Sequence, residues 1–325
     1  MRKFSRRKKI TTAQCPICEN NSEYEFSIHD LMFDGDVNYD YAYCFNCSLS
    51  FIYPMPSIKK IKGFYPDSYM VYKPPNEKKI KFLEKLCLHY KHGYNFLLKE
   101  NFIYKALSLF LSPSIDAINY IKDGKFLDVG CGNGSRLLRM RQIGWNVTGV
   151  ELNKLAVKRC HDVGLSVFNT TLENANFESK SFDVIYLSHL IEHVNNPREL
   201  INLSYNILTN NGLLYIKTPN RNSLGRMIFK KYWYANDVPR HLILYSKKSF
   251  QIIAQKSNFE IVRYVEFSSA KNFLNSLDYL LKRKNNSKRN KVLRALVKAF
   301  LFLAKVLRKG DESMYVLKKK TNIKN

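Results

Sequence analysis

From Lys125 onward, short runs rich in β-branched and aliphatic residues alternate with stretches of helical spacing. KFLDVG, NVTGV, FDVIYL and GLLYIKT read as strands; SRLLRMRQI, LAVKRCHDV and PRELINLSYNIL read as the helices that follow strands. Strands this apolar leave neither face for water. Strand–helix alternation therefore predicts an α/β fold: a mostly parallel sheet with helices covering both faces. NFEIVRYVEF and SMYVLKK add two further strands, with a long, very basic helical segment at roughly residues 270 to 309 between them. The sheet-bearing domain is thus expected over residues 123–268 plus 311–320, with 269–310 as a helical insertion before the last strand. Residues 1–56 hold a basic tail and two cysteine pairs. Residues 57–122 read as a helical linker or cap, where KKIKFLEKLCLHYKHGYNFLL has helical spacing and Pro74 and Pro75 punctuate its start.

Apolar residues make up 45% of the 325, enough for a proper core. The net charge of +26 predicts attraction to something anionic, without choosing among nucleic acid, a membrane surface and a phosphorylated substrate. No segment is apolar for long enough to span a bilayer, and MRKFSRRKKITTAQ has no apolar core behind its charges to make a secretory signal. Seven cysteines that include two C-x-x-C pairs suit a reducing compartment and metal binding, so a cytoplasmic location is expected.

The stretch FLDVGCGNG places Gly130, Gly132 and Gly134 after a strand and before a helix, where the chain can approach a bound nucleotide closely. A dinucleotide fingerprint would need glycine at Ser135. Asp128 would repel a pyrophosphate and attract a cationic ligand. S-adenosylmethionine fits, with its sulfonium, its ammonium and no phosphate. The next strand, NVTGVELN, brings Glu151 about 20 residues past the glycines, where a carboxylate can take both ribose hydroxyls. The alternative for Glu151 is a helix N-terminal charge beside Asn153.

Four motifs in order then resemble the class I S-adenosylmethionine-dependent methyltransferases, from Lys125 to about Phe267 and again from Met314. They are FLDVGCGNG, VTGVELN, SFDVIYLSHLIEHVNNP and NGLLYIKTPN. The resemblance implies a Rossmann-like domain with a seven-stranded sheet. It implies cofactor contacts at Asp128, Gly130, Gly132, Glu151 and Leu152, within a turn that also holds Cys131 and Gly134. It further implies an adenine contact near Leu172 and Glu173, and another contact near Ser188. The Cys131 position needs only a small residue.

HLIEH spells the H-x-x-E-H of some zinc proteases, but it follows a strand inside the methyltransferase motif series, so His189 and His193 are not expected to share a helix face. In the family, this segment closes over the cofactor and Glu-His is common there. Some of its small-molecule members bind a divalent ion at such a position, which here would fall on Glu192 and His193. A hydroxyl or activated-carbon acceptor needs a base, and histidine titrates near neutral pH. His241, His193 and His189 are the candidates; bracing a loop is the alternative for each. His241 lies in WYANDVPRHLILYS, which resembles a segment of a methyltransferase subgroup from sugar and surface-polysaccharide pathways.

CPIC and CFNC give two C-x2-C pairs about 25 residues apart, the spacing of a closed tetrahedral zinc site made by Cys15, Cys18, Cys44 and Cys47. With all four positions filled, the zinc would be structural, in a zinc-ribbon-like module. Cys87, Cys131 and Cys160 lack partners at useful spacing. The following CSLSFIYPMPSIKKIKGFYPDSY resembles the run that precedes the catalytic domain in the same sugar-modifying subgroup.

In KVLRALVKAFLFLAKVLRK, the basic residues Lys291, Arg294, Lys298, Lys305, Arg308 and Lys309 fall within roughly a third of the helix circumference, and nearly everything else is apolar. That pattern predicts a helix in a membrane interface, with residues 288–309 meeting anionic headgroups; a helix packed on the domain is the alternative. Phosphate binding does not call for Phe300, Leu301, Phe302 and Leu303 together, so nucleic acid is a less favoured partner. The expectation is a methyltransferase of small-molecule or glycan-type acceptors, lipid-linked ones included, at the inner membrane face. An RNA methyltransferase and a non-catalytic binding protein are the rivals. The former lacks the Asn/Asp-Pro-Pro-aromatic motif, and LSHL stands in its place.

Overall fold

The computed structural model describes residues 13–65, 79–111, 117–282 and 291–320. The basic tail, Pro74, Pro75 and residues 283–290 of the basic segment lie outside the described residues. Along the chain run β1 (Ala13–Gln14), β2 (Asn21–His29), β3 (Asn38–Cys44), β4 (Leu49–Tyr53), α1 (Ile58–Lys62), α2 (Phe82–His92), α3 (Phe102–Leu109), β5 (Lys125–Val129), α4 (Ser135–Gln142) and β6 (Asn146–Val150). Then follow α5 (Lys154–Asp162), β7 (Val167–Phe168), β8 (Phe182–Ser188), α6 (Pro197–Ile207), β9 (Leu208–Pro219), α7 (Leu224–Phe229), β10 (Ile243–Leu244), α8 (Lys247–Lys256), β11 (Phe259–Phe267), α9 (Ala270–Leu280), α10 (Lys291–Val306) and β12 (Glu312–Lys319). The chain divides into two compact units. One comprises Met1–Asp67, His189–Asn202 and Ile216–Asn325; the other comprises Ser68–Ser188 and Leu203–Tyr215.

The second unit carries the glycine turn. The seven-stranded sheet has the order β11-β12-β9-β8-β5-β6-β7, and β9 runs through both units. β5 pairs in parallel with β6 on one side and β8 on the other, and β6 pairs in parallel with β7. The chain therefore builds outward from β5 through β6 and β7, then returns to build in the opposite direction from β8. The crevice at such a reversal, beyond the carboxyl ends of the strands, is where open α/β sheets bind ligands. Phe126, Leu127 and Val129 of β5 and Val184, Ile185 and Leu187 of β8 are buried, as a sheet covered on both faces requires. Helix starts are set locally: α4 begins after the left-handed Gly134, and Asn153 caps α5 by accepting from the Ala156 N–H.

The first unit carries Cys15, Cys18, Cys44 and Cys47 together with His189, His193 and His241. β1, β2, β3, β4 and β10 form a five-stranded sheet, antiparallel at each pairing, in which the last strand comes from residues 243–244. β11 and β12 pair antiparallel, so the larger sheet is mixed. The basic segment is two helices, α9 and α10, within the described residues. Val297, Phe300 and Ala304 of α10 pack inward, the last two with Leu224, Phe273 and Leu301. An apolar arc of roughly 140° beside this seam stays exposed; it includes Val292, Leu296, Phe302 (69% exposed), Leu303 and Val306. Arg294, Lys298, Lys305 and Arg308 line the other flank, also exposed. No helix among the described residues is long and apolar enough to cross a membrane.

Candidate active site

The turn after β5 is held by its own backbone. The N–H groups of Gly130 and Cys131 both donate to the Val150 carbonyl, at 2.8 and 3.1 Å. Gly130, Gly132 and Gly134 all have positive φ, near 71°, 53° and 71°. A Cβ on Gly134 would stand 2.7 Å from both Cys160 Sγ and Leu165 Cδ1, so this glycine lets α5 and the turn close-pack. Glu151 sits at the end of β6. Its Oε2 accepts the Gly132 N–H at 2.9 Å and its Oε1 accepts the Asn153 N–H at 2.9 Å. Half-buried Glu151 thus braces the start of α5, as the second sequence alternative expects, and also ties it to the glycine turn.

Asp128 is 3% exposed. Burial pushes its carboxyl up to about 7, the Arg136 guanidinium pulls the other way, and the Glu151 charge raises it further. A buried carboxyl poised between charge states is one that a bound cation would ionise. The donor set therefore fits a cationic nucleoside better than a pyrophosphate. Leu152 is 59% exposed, Leu172 is buried, and Glu173 is exposed at the start of a short 3-10 turn. Ser188 ends β8, half-buried, and Cys131 is buried in the turn. Two contributors were not foreseen. Asn169 donates from Nδ2 to the Glu151 and Leu152 carbonyls at 3.0 and 2.9 Å, and Arg136 lies over the Tyr186 ring at 3.8 Å. Arg136 was legible as the first cation after the glycines; Asn169 had no signal.

In the first unit the H-x-x-E-H stretch is not one helix. His189 takes a left-handed backbone, φ 51°, and Ile191–His193 form a 3-10 turn. Glu192 is fully buried. Its Oε2 accepts the Thr218 hydroxyl at 3.0 Å, and its Oε1 lies 3.2 Å from His189 Nδ1. His189 Nε2 lies 3.3 Å from Glu312, which also meets Lys217 Nζ at 3.1 Å. Burial opposes charge on His189, but its hydrogen bonds to Glu192 and Glu312 win and raise it to about 9. Burial likewise works to raise Glu192, but the His189 hydrogen bond and charge hold it down at about 2. His189 is thus an imidazolium clamped between carboxylates, which removes it as a candidate base.

The other two histidines are different. His193 Nδ1 lies 3.0 Å from the Arg240 carbonyl and 2.8 Å from the Tyr65 hydroxyl; His241 Nδ1 lies 2.8 Å from the Ala235 carbonyl. A carbonyl only accepts, so each Nδ1 carries a proton. Burial, then the neighbouring His241, drive His193 down to about 4 and keep it neutral. His241 Nε2 lies 3.9 Å from Glu192 Oε1 and 3.8 Å from Asp237 Oδ2. The two rings meet edge-on with centroids 4.7 Å apart. Glu192, His193 and His241 offer ligand atoms within 4.8 Å of one another, a set that can hold a divalent cation.

The four cysteines also come together. Their Sγ atoms lie within 4.8 Å of one another, with Cys18 and Cys44 at 3.6 Å. A tetrahedral Zn–S bond of about 2.3 Å implies S···S near 3.8 Å, so the thiols fit that ion. The two turns are built alike: the residue after each pair, Glu19 (φ 65°) and Ser48 (φ 52°), is left-handed. The Cys47 N–H donates to Cys44 Sγ at 3.4 Å, and such bonds favour the thiolate. Cys87 and Cys160 are buried elsewhere.

A family model described as a methyltransferase domain matches residues 102–264. The chain belongs to that methyltransferase family. Among curated proteins, a ubiquinone biosynthesis O-methyltransferase of Photobacterium profundum is 32% identical over 120 residues, 33% of this chain and 51% of its own. Its counterpart in Proteus mirabilis is 33% identical over 141 residues, 39% of this chain and 55% of its own. The chain spans about half the length of these relatives. Among solved structures, a SAM dependent methyltransferase from Archaeoglobus fulgidus matches 60% of this chain and 86% of its own at 22% identity, with a TM-score of 0.44.

Proposed function

We propose that this chain is an S-adenosylmethionine-dependent methyltransferase acting on a small-molecule or glycan-type hydroxyl. The observation that carries the donor half is the buried Asp128 at the glycine turn, with Glu151 beside it. Asp128 and Glu151 hold the cationic and ribose parts of the donor, Leu152 and Leu172 bracket the adenine with Glu173, and Ser188 adds a contact at the end of β8. Gly130, Cys131, Gly132 and Gly134 supply the close-approaching backbone. Calorimetry with S-adenosylmethionine tests this. Micromolar binding, weakened by Glu151→Ala, is expected; wild-type protein that takes up no S-adenosylmethionine would sink the reading.

On the acceptor side, His241 is the base. Its Nδ1 is fixed on the Ala235 carbonyl, and Glu192 and Asp237 stand within 4 Å of its Nε2 to stabilise the imidazolium that forms on proton transfer. His193 stays neutral beside it and orients the acceptor or shares a cation with Glu192 and His241. Methyl transfer itself is an in-line displacement in which positioning does most of the work. A hydroxyl acceptor is supported by the curated relatives, which are O-methyltransferases; a glycan-type one, and a place in surface polysaccharide or secondary metabolite synthesis, by the Pro-Arg-His segment and the cysteine module. Structural zinc at Cys15, Cys18, Cys44 and Cys47 completes the subgroup's pattern.

A lipid-linked acceptor at an anionic, inner membrane face is supported by the exposed apolar arc of α10 with its basic flank. Flotation with vesicles containing anionic lipid, lost when Phe302 and Val306 become Asp, is the expected result. Retention on RNA that falls with salt, without flotation, would favour the RNA methyltransferase instead.

A further inference from the structure

The residues around His241 are tied to the cysteine module as well as to their own neighbours in sequence. β10 directly follows His241 and pairs with β4, the strand that leaves the second cysteine pair, in the register Ile243 to Phe51 and Leu244 to Ser50. The Ile52 N–H donates to the Leu242 carbonyl at 2.8 Å, and the Leu242 N–H donates to the Glu192 carbonyl at 2.7 Å. The Ser246 hydroxyl donates to the carbonyl of Cys47 itself at 3.2 Å. Tyr41, three residues before Cys44 on β3, is fully buried, stacks on Phe26, and donates its hydroxyl to the His241 carbonyl. On the other side, Arg240 has no exposed surface and grips Asp30 with two bonds, at 2.7 and 3.0 Å, while its Nη2 reaches Asp237 at 2.7 Å. Its carbonyl takes the His193 Nδ1 bond at 3.0 Å.

The carbonyls of His241 and Leu242 are therefore fixed by β3 and β4, the strands on either side of the second cysteine turn, while the His241 N–H and Nδ1 bond locally to the Asp237 and Ala235 carbonyls. Ordered metal-free cysteine turns are not expected, because four thiols held within bonding distance of one another repel as soon as they ionise. We propose that the cysteine module is the positioning device for His241, Glu192 and His193. Metal loading at Cys15, Cys18, Cys44 and Cys47 then sets the geometry of proton acceptance without the metal touching the acceptor. Tyr41 and Asp30 are its positioning residues. This rests on the reading of His241 as the base only for its consequence in catalysis; the mechanical coupling stands apart from it.

The test uses the full chain in three forms: zinc-loaded, chelator-treated, and zinc-loaded Tyr41→Phe. Imidazole nitrogen NMR reports whether His241 keeps a slowly exchanging Nδ1 proton and a single tautomer. Calorimetry reports S-adenosylmethionine affinity, which belongs to residues of the other unit. Expected are a fixed tautomer in the zinc-loaded protein, averaged tautomers in the other two forms, recovery on adding zinc back, and an affinity of Tyr41→Phe within twofold of the parent. If metal removal unfolds the chain, Tyr41→Phe decides alone. A His241 ring unchanged in Tyr41→Phe overturns the proposal, and so does a parallel loss of S-adenosylmethionine affinity, which would mean general destabilisation. Failure of the base reading would look different: methyl transfer surviving His241→Gln with the NMR coupling intact.

Discussion

The glycine turn and the histidine cluster are assembled in opposite ways. The contacts that shape the turn come from within tens of positions: the Glu151 to Gly132 bond spans 19, and the Arg136 to Tyr186 contact spans 50. The histidine cluster is closed by contacts such as Tyr41 to His241, 200 positions apart, and Asp30 to Arg240, 210 apart. The turn presents backbone and one poised carboxyl, a surface for binding a ligand. The cluster presents buried charges that cancel one another, a scaffold that holds two imidazole rings in place. A local site tolerates changes elsewhere in the chain; a long-range site fails when any distant anchor fails.

Metal removal should break that contrast most sharply. Structural zinc contributes about 10–16 kcal/mol in isolated zinc modules, so chelation or Cys44→Ala should lower the melting temperature more than any other change, with about one equivalent of zinc found in the parent by metal analysis. Next comes Arg240→Ala. It leaves Asp30 and Asp237 facing each other without their cation, which costs about 3–5 kcal/mol and should appear as a lower denaturant midpoint. A variant as stable as the parent would mean that the long-range anchors matter little.

Asp128→Asn should separate stability from binding in the local site. The folded Asp128 carboxyl titrates near 7, above its ordinary value of 3.8, so the unfolded state ionises first and stability is lost as pH rises between them. The amide escapes that penalty. The ligand-free variant should melt higher than the parent at pH 7 yet bind S-adenosylmethionine about tenfold to a hundredfold more weakly, the loss of one charge-assisted contact. In the parent, binding near pH 7 should release a proton, seen as calorimetric heats that vary with buffer ionisation enthalpy.

The smallest effect expected is a pH dependence confined to the histidine cluster. His189 is raised to about 9, so its contribution is fully present below its ordinary 6.5 and is lost as pH climbs through 9. Glu192, held near 2, contributes above 4.5 and loses that contribution as pH falls towards 2. His193, lowered to about 4, adds a second acid-side loss between 6.5 and 4 because the unfolded chain takes up that proton first. Melting temperature against pH should show both limbs, and His189→Gln should flatten the alkaline one. The His189 ring is 39% exposed, so the alkaline limb should be shallow.

Most of the α/β sheet was readable because its strands announce themselves through β-branched runs, and the three glycines mark the turn between β5 and α4. β7 and β10 were not readable. Each is two residues long, too short for any periodicity, and β10 exists only because β4 is there to pair with it. The four cysteines were legible by spacing alone, while the left-handed Glu19 and Ser48 that complete their turns carry no glycine to mark them. His241 and His193 were picked out as reactive types. What distinguishes them from His189 is environment: a carbonyl at Nδ1 for two, carboxylates on both sides for the third. Arg240 looked like part of a motif and proved to be a buried clamp between two aspartates.

The two-residue strand β10 also bears on synthesis. The small sheet begins at Ala13 but receives its final strand at Ile243–Leu244. At roughly 5–20 residues per second, a ribosome takes about 10–45 seconds to cover that interval. During it, the free edge of β4, which carries Leu49, Phe51 and Ile52, has no pairing partner from β10. A nascent chain arrested before residue 243 should therefore engage holdase chaperones through that edge, and one released beyond residue 250 should not. An early cysteine knuckle can capture its metal long before it has anything to position.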